Sequence, residues 1–139
     1  MTYNVLIVDD SATMRALIRK VLVISGFATG ECFEGGNGQE ALDILRNNRV
    51  DLIFADLHMP EMDGAAFLKV LRNHHHWRSI PVVLITTEGR PEVLNPVLRQ
   101  RVQGYIRKPF QPETIRKHLI NILGEAAASH VGKLEGCDF

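Results

Sequence analysis

The segment from residue 51 to residue 64 constrains the fold of this chain more than any other stretch. Residues 52–55 form an apolar run without alternation, which is typical of a strand buried on both faces of a parallel sheet. Asp56 follows directly, and then Pro60 and Gly64 turn the chain towards a helix. A carboxylate at the end of a buried strand is costly unless the strand opens into a polar crevice. We therefore expect Asp56 at the mouth of a site, although a carboxylate that only caps the next helix is the simpler alternative.

Four further apolar runs alternate with helical patterns along the chain. The predicted strands are 3–8, 28–33, 52–55, 80–85 and 102–107. The connections carry apolar residues at helical spacing. The helix predicted at 90–100 has Val93, Leu94, Val97 and Leu98 on one face, and Pro96 should kink or shorten it. Each connection is long enough for a crossover, so the pattern predicts an α/β fold with a doubly wound, five-stranded parallel sheet. Residues 1–124 should form this domain and residues 125–139 a C-terminal tail.

The charge balance and the lengths of the apolar runs narrow the possible partners. Sixteen basic and sixteen acidic residues cancel, so no global charge draws the chain to nucleic acid or to a membrane surface. The apolar runs are too short to span a membrane, and no basic, apolar signal segment precedes the first predicted strand. We expect a cytoplasmic protein.

The ends of the predicted strands gather the polar chemistry, because ligands bind outside the carboxyl ends of strands in such a sheet. These ends supply Asp9 and Asp10, Asp56, Thr86 and Lys108. Three adjacent carboxylates repel one another unless a cation is present, and oxygen-only ligands favour a hard ion such as Mg²⁺. Lys108 and Thr86 suit phosphoryl oxygens. A carboxylate nucleophile, a metal and a lysine together indicate an aspartyl-phosphate site.

Four motifs in a fixed order give the chain a family resemblance. They are residues 8–15 (VDDSATMR), residues 56–64 (DLHMPEMDG), Thr86, and residues 108–110 (KPF). Together they resemble the receiver domain of bacterial response regulators over about residues 3–124, and the first motif looks most like the single-domain, chemotaxis-type receivers. The resemblance implies a flavodoxin-like (βα)5 fold with strand order 2-1-3-4-5.

The resemblance also implies roles at the acidic strand ends. Asp56 would accept a phosphoryl group from a phosphohistidine on a sensor histidine kinase. Asp10 and Asp56, together with the backbone carbonyl of His58, would bind Mg²⁺ directly, and Asp9 would act largely through water. Catalysis would be limited to the domain's own phosphoryl uptake and loss, so the chain would not be an enzyme in the usual sense.

Other residues would carry the response to phosphorylation. Lys108 would pair with the phosphoryl oxygens, and its peptide bond to Pro109 would be cis. Thr86 would be drawn towards the phosphoryl group, and Tyr105 would turn inward as the aromatic switch. The fourth helix, fifth strand and fifth helix would then change pose for a partner.

The expected output face departs from the family pattern. Pro96 is unusual in the fourth helix, and Arg101-Val102 stand where many members have Gly-Ala, which puts a standard partner interface in doubt. Residues 90–118 contain seven Lys or Arg against two Glu. This excess suggests a basic face for an acidic protein partner, while a solvated mixed surface remains the alternative.

Two other function classes stay open on the sequence. A Mg²⁺-dependent phosphatase with Asp56 as nucleophile would need a general acid and a substrate cap, and no long insertion supplies a cap. The chain could also be the receiver half of a longer transcriptional regulator. The neutral charge and the missing helix-turn-helix disfavour direct binding of nucleic acid by this chain.

Overall fold

Five parallel strands form one sheet in the computed structural model, which describes residues 2–27 and 29–124. The strands are β1 (Tyr3–Val8), β2 (Thr29–Gly35), β3 (Leu52–Ala55), β4 (Val82–Thr86) and β5 (Gly104–Arg107). The helices are α1 (Ala12–Ile24), α2 (Gly38–Asn47), α3 (Gly64–Asn73), α4 (Pro91–Leu98) and α5 (Pro112–Leu123). The order β2-β1-β3-β4-β5 confirms the predicted doubly wound α/β fold and its topology.

The predicted domain boundary after residue 124 remains a prediction. Residues 125–139, which the sequence assigns to a C-terminal tail, lie outside the described residues. Within the described ranges, α1 is the longest helix with 13 residues, and no helix there has the length and apolar content needed to cross a membrane.

Two strands end later than predicted, because backbone pairing rather than apolar content decides where a strand stops. β2 extends two residues beyond its predicted end, since Gly35 still pairs with Val8 of β1. β4 extends one residue further, since Thr86 pairs with Arg107. It also starts late, at Val82, because the residue before it is a proline without an N–H for the ladder.

β5 begins at Gly104, two residues later than predicted. The backbone N–H of Gln103 donates to the carbonyl of Val82 over 2.9 Å. The side-chain oxygen of Gln103 in turn accepts the N–H of Val82 over 2.8 Å. A side chain thus takes a position that the strand ladder would otherwise occupy, and Val102 stays outside the strand.

Apolar side chains pack against both faces of the sheet. One cluster joins the sheet to α2, α3 and α4 and includes Phe67 and Leu71, and the other joins it to α1 and α5 and includes Phe54 and Ile115. All four residues of β3 are buried, as predicted for a central strand. Each large side chain buried in this way contributes about 1.5–3 kcal/mol to folding. The two clusters therefore fix the strand ends that carry the polar residues.

α4 is short, with eight residues, and it contains Pro96. Proline has no N–H for the carbonyl four residues earlier, which agrees with the predicted shortening. Leu94 and Val97 are buried, but Leu98 is 37% exposed. Leu98 thus lies at the exposed margin of the predicted apolar face, because this short helix buries only a narrow stripe.

The guanidinium of Arg72, in α3, forms hydrogen bonds with two segments, the one that follows α4 and the one that precedes β4. It donates to the carbonyl of Gln100 over 3.0 Å and to that of Arg101 over 2.9 Å. It also donates to the carbonyls of Arg78 and Ile80, each over 3.0 Å. Burial lowers the pKa of Arg72, and the charge of Arg101 lowers it further. One side chain thus satisfies four backbone acceptors.

Replacing Arg72 with methionine should lower the free energy of unfolding by about 2 kcal/mol or more, because several carbonyls lose a charged donor at once. Arg72→Lys should recover little of this, since an ammonium cannot reproduce the planar fork. Urea denaturation measures both variants. Arg78→Met, at an exposed side chain, is the control and should change stability by less than about 0.5 kcal/mol. An equal loss of unfolding free energy in Arg72→Met and Arg78→Met would contradict the role of Arg72 as the donor to these carbonyls.

Candidate functional site

Polar side chains from four strand ends meet at one edge of the sheet. Asp9 and Asp10 follow β1, Asp56 follows β3, Thr86 ends β4, and Lys108 follows β5. These strands are neighbours in the sheet and run parallel, so their carboxyl ends lie side by side. The strand order therefore brings the five residues to one edge of the sheet, as the sequence predicts.

The three carboxylates form a compact acidic cluster. Asp9, Asp10 and Asp56 each offer an oxygen, and these oxygens lie within 4.8 Å of one another. Oxygens bound to one Mg²⁺ at about 2.1 Å are at most about 4.2 Å apart, so small adjustments would bring the cluster to this geometry. Asp9 and Asp56 are buried, whereas Asp10 is exposed. The donor set fits a hard divalent cation.

The ammonium of Lys108 bridges two of these carboxylates. Its Nζ lies 2.7 Å from Oδ2 of Asp9 and 2.9 Å from Oδ2 of Asp56. Burial acts to lower the pKa of Lys108, but the hydrogen bonds and charges of Asp9 and Asp56 outweigh it, so the pKa is raised. The three carboxylates of Asp9, Asp10 and Asp56 and the ammonium of Lys108 have a formal charge of −2 together, which a divalent cation would balance. The peptide bond between Lys108 and Pro109 is cis, as predicted.

The turn after β3 holds Asp56 through its own backbone. The N–H of Leu57 donates to Oδ1 of Asp56 over 2.7 Å, and the N–H of His58 reaches the same oxygen at 3.4 Å. Gly64 packs against this turn, where a Cβ would come within 2.2 Å of the Asp56 carbonyl. Only glycine allows this approach, as the sequence predicts. The turn therefore fixes Oδ1, while Oδ2 faces Lys108.

Thr86 and Tyr105 meet at the same residue of the loop after β4. Thr86 is fully buried, and its Oγ1 accepts the N–H of Glu88 over 3.2 Å. The hydroxyl of half-buried Tyr105 donates to the carbonyl of Glu88. The two predicted switch residues are thus connected through one peptide segment.

The side chain of Glu88 forms a network that the sequence does not reveal. Its carboxylate accepts hydrogen bonds from Nε of Arg90 over 2.9 Å and from a terminal nitrogen of Arg90 over 2.7 Å. The N–H groups of Gly89 and Arg90 donate to it as well, and Nε2 of His58 lies 2.9 Å away. The Arg90 side chain and backbone hold the pKa of Glu88 far below its usual range. No spacing rule links these residues, because the loop turns back on itself.

The pKa of Glu88 implies a pH-dependent contribution to stability. Its folded-state pKa lies below the ordinary glutamate value of about 4.3, so the ionised group stabilises the folded state above that pH. The contribution is lost as the pH falls below about 4.3 towards the folded-state pKa. Glu88→Gln should therefore be less stable than the native chain at pH 7, and the difference should shrink between pH 4.3 and pH 3.

Thermal denaturation across this pH range measures the Glu88 effect. Glu92→Gln, at an exposed glutamate on α4, is the control and should track the native chain. A stability difference for Glu88→Gln that is constant from pH 7 to pH 3 would rule out the ionised carboxylate as its cause.

Comparison with known proteins identifies the family of this chain. The family model for the response regulator receiver domain matches residues 5–120 of the chain. The chain belongs to this family. The predicted resemblance is thereby confirmed, and the acidic cluster of this receiver domain lies at the edge of the sheet where the family motifs converge.

The receiver domain is similar to chemotaxis regulators over most of its length. It is 36% identical over 122 residues to a chemotaxis protein CheY homolog of Campylobacter jejuni, covering 87% of this chain and 92% of that protein. It is also 36% identical over 122 residues to chemotaxis protein CheY1 of Helicobacter pylori, covering 87% and 97%. The solved structure of CheY4 from Vibrio cholerae superposes with a TM-score of 0.76 at 33% identity, covering 86% and 97%. Receiver domains of this type are signalling proteins rather than classical enzymes.

Proposed function

We propose that Asp56 is the phosphoacceptor of this receiver domain and that Mg²⁺ supports the transfer. The observation that carries the proposal is the placement of Lys108, whose ammonium bridges Asp9 and Asp56 within a cluster that retains net negative charge. A sensor histidine kinase is the proposed donor, and the cytoplasm is the proposed location. The similarity to chemotaxis proteins favours a chemotaxis-type regulator over the other two classes considered.

The proposed transfer uses the carboxylate of Asp56 as nucleophile. A carboxylate oxygen forms a bond to phosphorus while the bond from phosphorus to the donor imidazole nitrogen breaks, and that nitrogen keeps the electron pair. Lys108 offers a positive charge next to Oδ2 of Asp56, where the new phosphoryl oxygens would lie. When bound, Mg²⁺ neutralises negative charge on those oxygens.

The hydrogen bonds of the two aspartates after β1 support different metal roles. Both oxygens of Asp9 are already engaged, Oδ1 by the N–H of Ser11 over 2.9 Å and Oδ2 by Lys108. Asp10 is exposed and has no hydrogen-bond donor among the residues that the structure describes. We therefore assign direct coordination to Asp10 and a water-mediated role to Asp9. The family resemblance, and not the hydrogen bonds, adds Asp56 and the backbone carbonyl of His58 as proposed direct ligands, because both oxygens of Asp56 are also engaged.

The proposed response runs through the loop after β4. Thr86 would turn its hydroxyl to the phosphoryl group, and this hydroxyl accepts the N–H of Glu88 in the present state. Tyr105 holds the carbonyl of the same residue, so a shift of the loop changes both contacts together. The surface of α4, β5 and α5 would then present a different shape to a downstream protein.

Substitution of Asp56 tests the phosphoacceptor directly. Incubation with a labelled phosphohistidine kinase or a small phosphodonor should label the native chain only when Mg²⁺ is present. Asp56→Asn should reduce incorporation at least a hundredfold, because an amide oxygen is a poor nucleophile. Asp43→Asn, at an exposed aspartate on α2, should be labelled like the native chain.

Three outcomes would contradict the proposal or revive its alternatives. Labelling of Asp56→Asn at the native rate would place the phosphoryl group on another residue. Multiple turnover of a small phosphomonoester would indicate a phosphatase. A gel shift of DNA that depends on phosphorylation would indicate a transcriptional regulator.

The expected output face is less basic than its residue count suggests. Of the seven cationic residues, Lys108 lies in the acidic cluster, Arg90 pairs with Glu88, and Arg116 lies 3.3 Å from Glu113. Exposed cations remain along the face and are Arg99, Arg101, Arg107 and Lys117. We infer that this remaining excess is enough to favour an acidic downstream protein.

Charge reversal tests the basic face. The triple change Arg99→Glu, Arg101→Glu and Arg116→Glu should weaken binding of the phosphorylated domain to its downstream protein about tenfold or more and reduce the salt dependence. A co-sedimentation assay at several salt concentrations measures this. Lys20→Glu, on the exposed side of α1, is the control. Unchanged binding by the triple variant would favour a solvated mixed surface.

A further inference from the structure

Arg15, on the first turns of α1, joins three parts of the molecule. One terminal nitrogen of its guanidinium donates to the backbone carbonyl of Asp9, which follows β1. Its Nε donates to Oε1 of Glu34, in β2, over 3.1 Å. The Arg15 side chain is 19% exposed, so it lies mostly within the protein. The helix, the turn before it and the edge strand are thus connected by one guanidinium.

The contact with the Asp9 carbonyl bears on Asp10. That carbonyl and the N–H of Asp10 belong to the same rigid peptide plane. A hydrogen bond to the oxygen therefore fixes the orientation of this plane, from which the Cα and side chain of Asp10 extend. Other contacts hold the rest of Asp9, because its N–H donates to Gly35 over 3.0 Å and its Oδ1 accepts from Ser11. Within the described residues, Arg15 is the side chain that restrains the carbonyl itself.

We propose that Arg15 is a positioning residue for the metal site, which orients the carboxylate of Asp10 by holding the Asp9 carbonyl and is itself anchored by Glu34. The inference rests on the proposed function, since it assumes that the acidic cluster binds Mg²⁺. Groups that orient metal ligands typically change affinity by 10–100-fold when they are removed. Arg15 therefore supports the cation although it carries a positive charge.

The charge of Arg15 makes the inference sharply testable. A guanidinium beside an acidic cluster that acts only through its charge repels a cation, so its removal would tighten Mg²⁺ binding. A guanidinium that acts by orienting Asp10 has the opposite effect, and its removal weakens binding. The sign of the change in Mg²⁺ affinity distinguishes the two roles.

Arg19 provides a matched control one turn further along α1. It donates to Oε2 of the same Glu34 over 3.1 Å and to the carbonyl of Cys32 over 3.4 Å, and its side chain is 51% exposed. Among the described residues it makes no hydrogen bond to Asp9. Arg19→Met therefore removes a cation from the same carboxylate and leaves the turn before α1 intact.

The experiment is a calorimetric titration of Mg²⁺ into the unphosphorylated full chain. Arg15→Met should raise the dissociation constant for Mg²⁺ about tenfold, Arg15→Lys should recover part of the loss, and Arg19→Met should stay within about twofold of the native chain. Asp10→Asn serves as the reference for loss of a ligand. Thermal denaturation of each variant confirms folding, and Arg15→Gln replaces any Arg15→Met sample that does not fold.

The outcomes separate this inference from the proposed function. Unchanged or tighter Mg²⁺ binding by Arg15→Met, while Asp10→Asn binds weakly, would overturn the positioning role and leave the metal site standing. Failure of the native chain to bind Mg²⁺ at millimolar concentration would overturn the metal site, and the positioning role with it. An equal loss in Arg15→Met and Arg19→Met would assign the effect to Glu34 rather than to the Asp9 carbonyl.

Discussion

The bridge from Lys108 to Asp9 and Asp56 is the interaction on which the site depends. Removing one partner from a buried pair of opposite charges typically costs about 3–5 kcal/mol. The Lys108 ammonium, at 2.7 Å from Asp9 and 2.9 Å from Asp56, supplies the opposite charge that these two carboxylates require. Because Lys108 follows β5 while the aspartates follow β1 and β3, the bridge also holds together the ends of three strands. The same Lys108 bridge therefore shapes the acidic site and stabilises the arrangement of the strand ends.

The same edge of the sheet contains a second point of convergence at Glu88. Thr86 and Tyr105 bind its backbone, while Arg90 and His58 bind its carboxylate. Glu88 thus connects Thr86, at the acidic edge of the sheet, with Arg90 in the loop that precedes α4. At the other end of α4, Arg72 fixes the chain against α3, so the two ends of the helix are held by different means.

Most of the fold could be predicted because its signals are local. The apolar runs and helical spacings located five strands and five helices, and the family motifs supplied the candidate site residues. The errors fall where a partner elsewhere in the chain decides the outcome. β5 starts late because the side chain of Gln103 takes a ladder position. The sequence also does not reveal that Arg101 adopts a left-handed backbone at φ 62° or that Arg72 binds its carbonyl.

The sequence by itself determined the alternation of strands and helices, the acidic residues at the strand ends and the lysine that faces them, because each follows from residue type and spacing. Only the tertiary structure decided how these groups contact one another. It showed that Glu88 is enclosed by Arg90 and that Arg15 reaches the Asp9 carbonyl. Such contacts join residues through the turns of loops and the packing of a helix on an edge strand. Hydrogen bonds of this kind depend on the direction of each group in space, which periodicity along a chain does not specify.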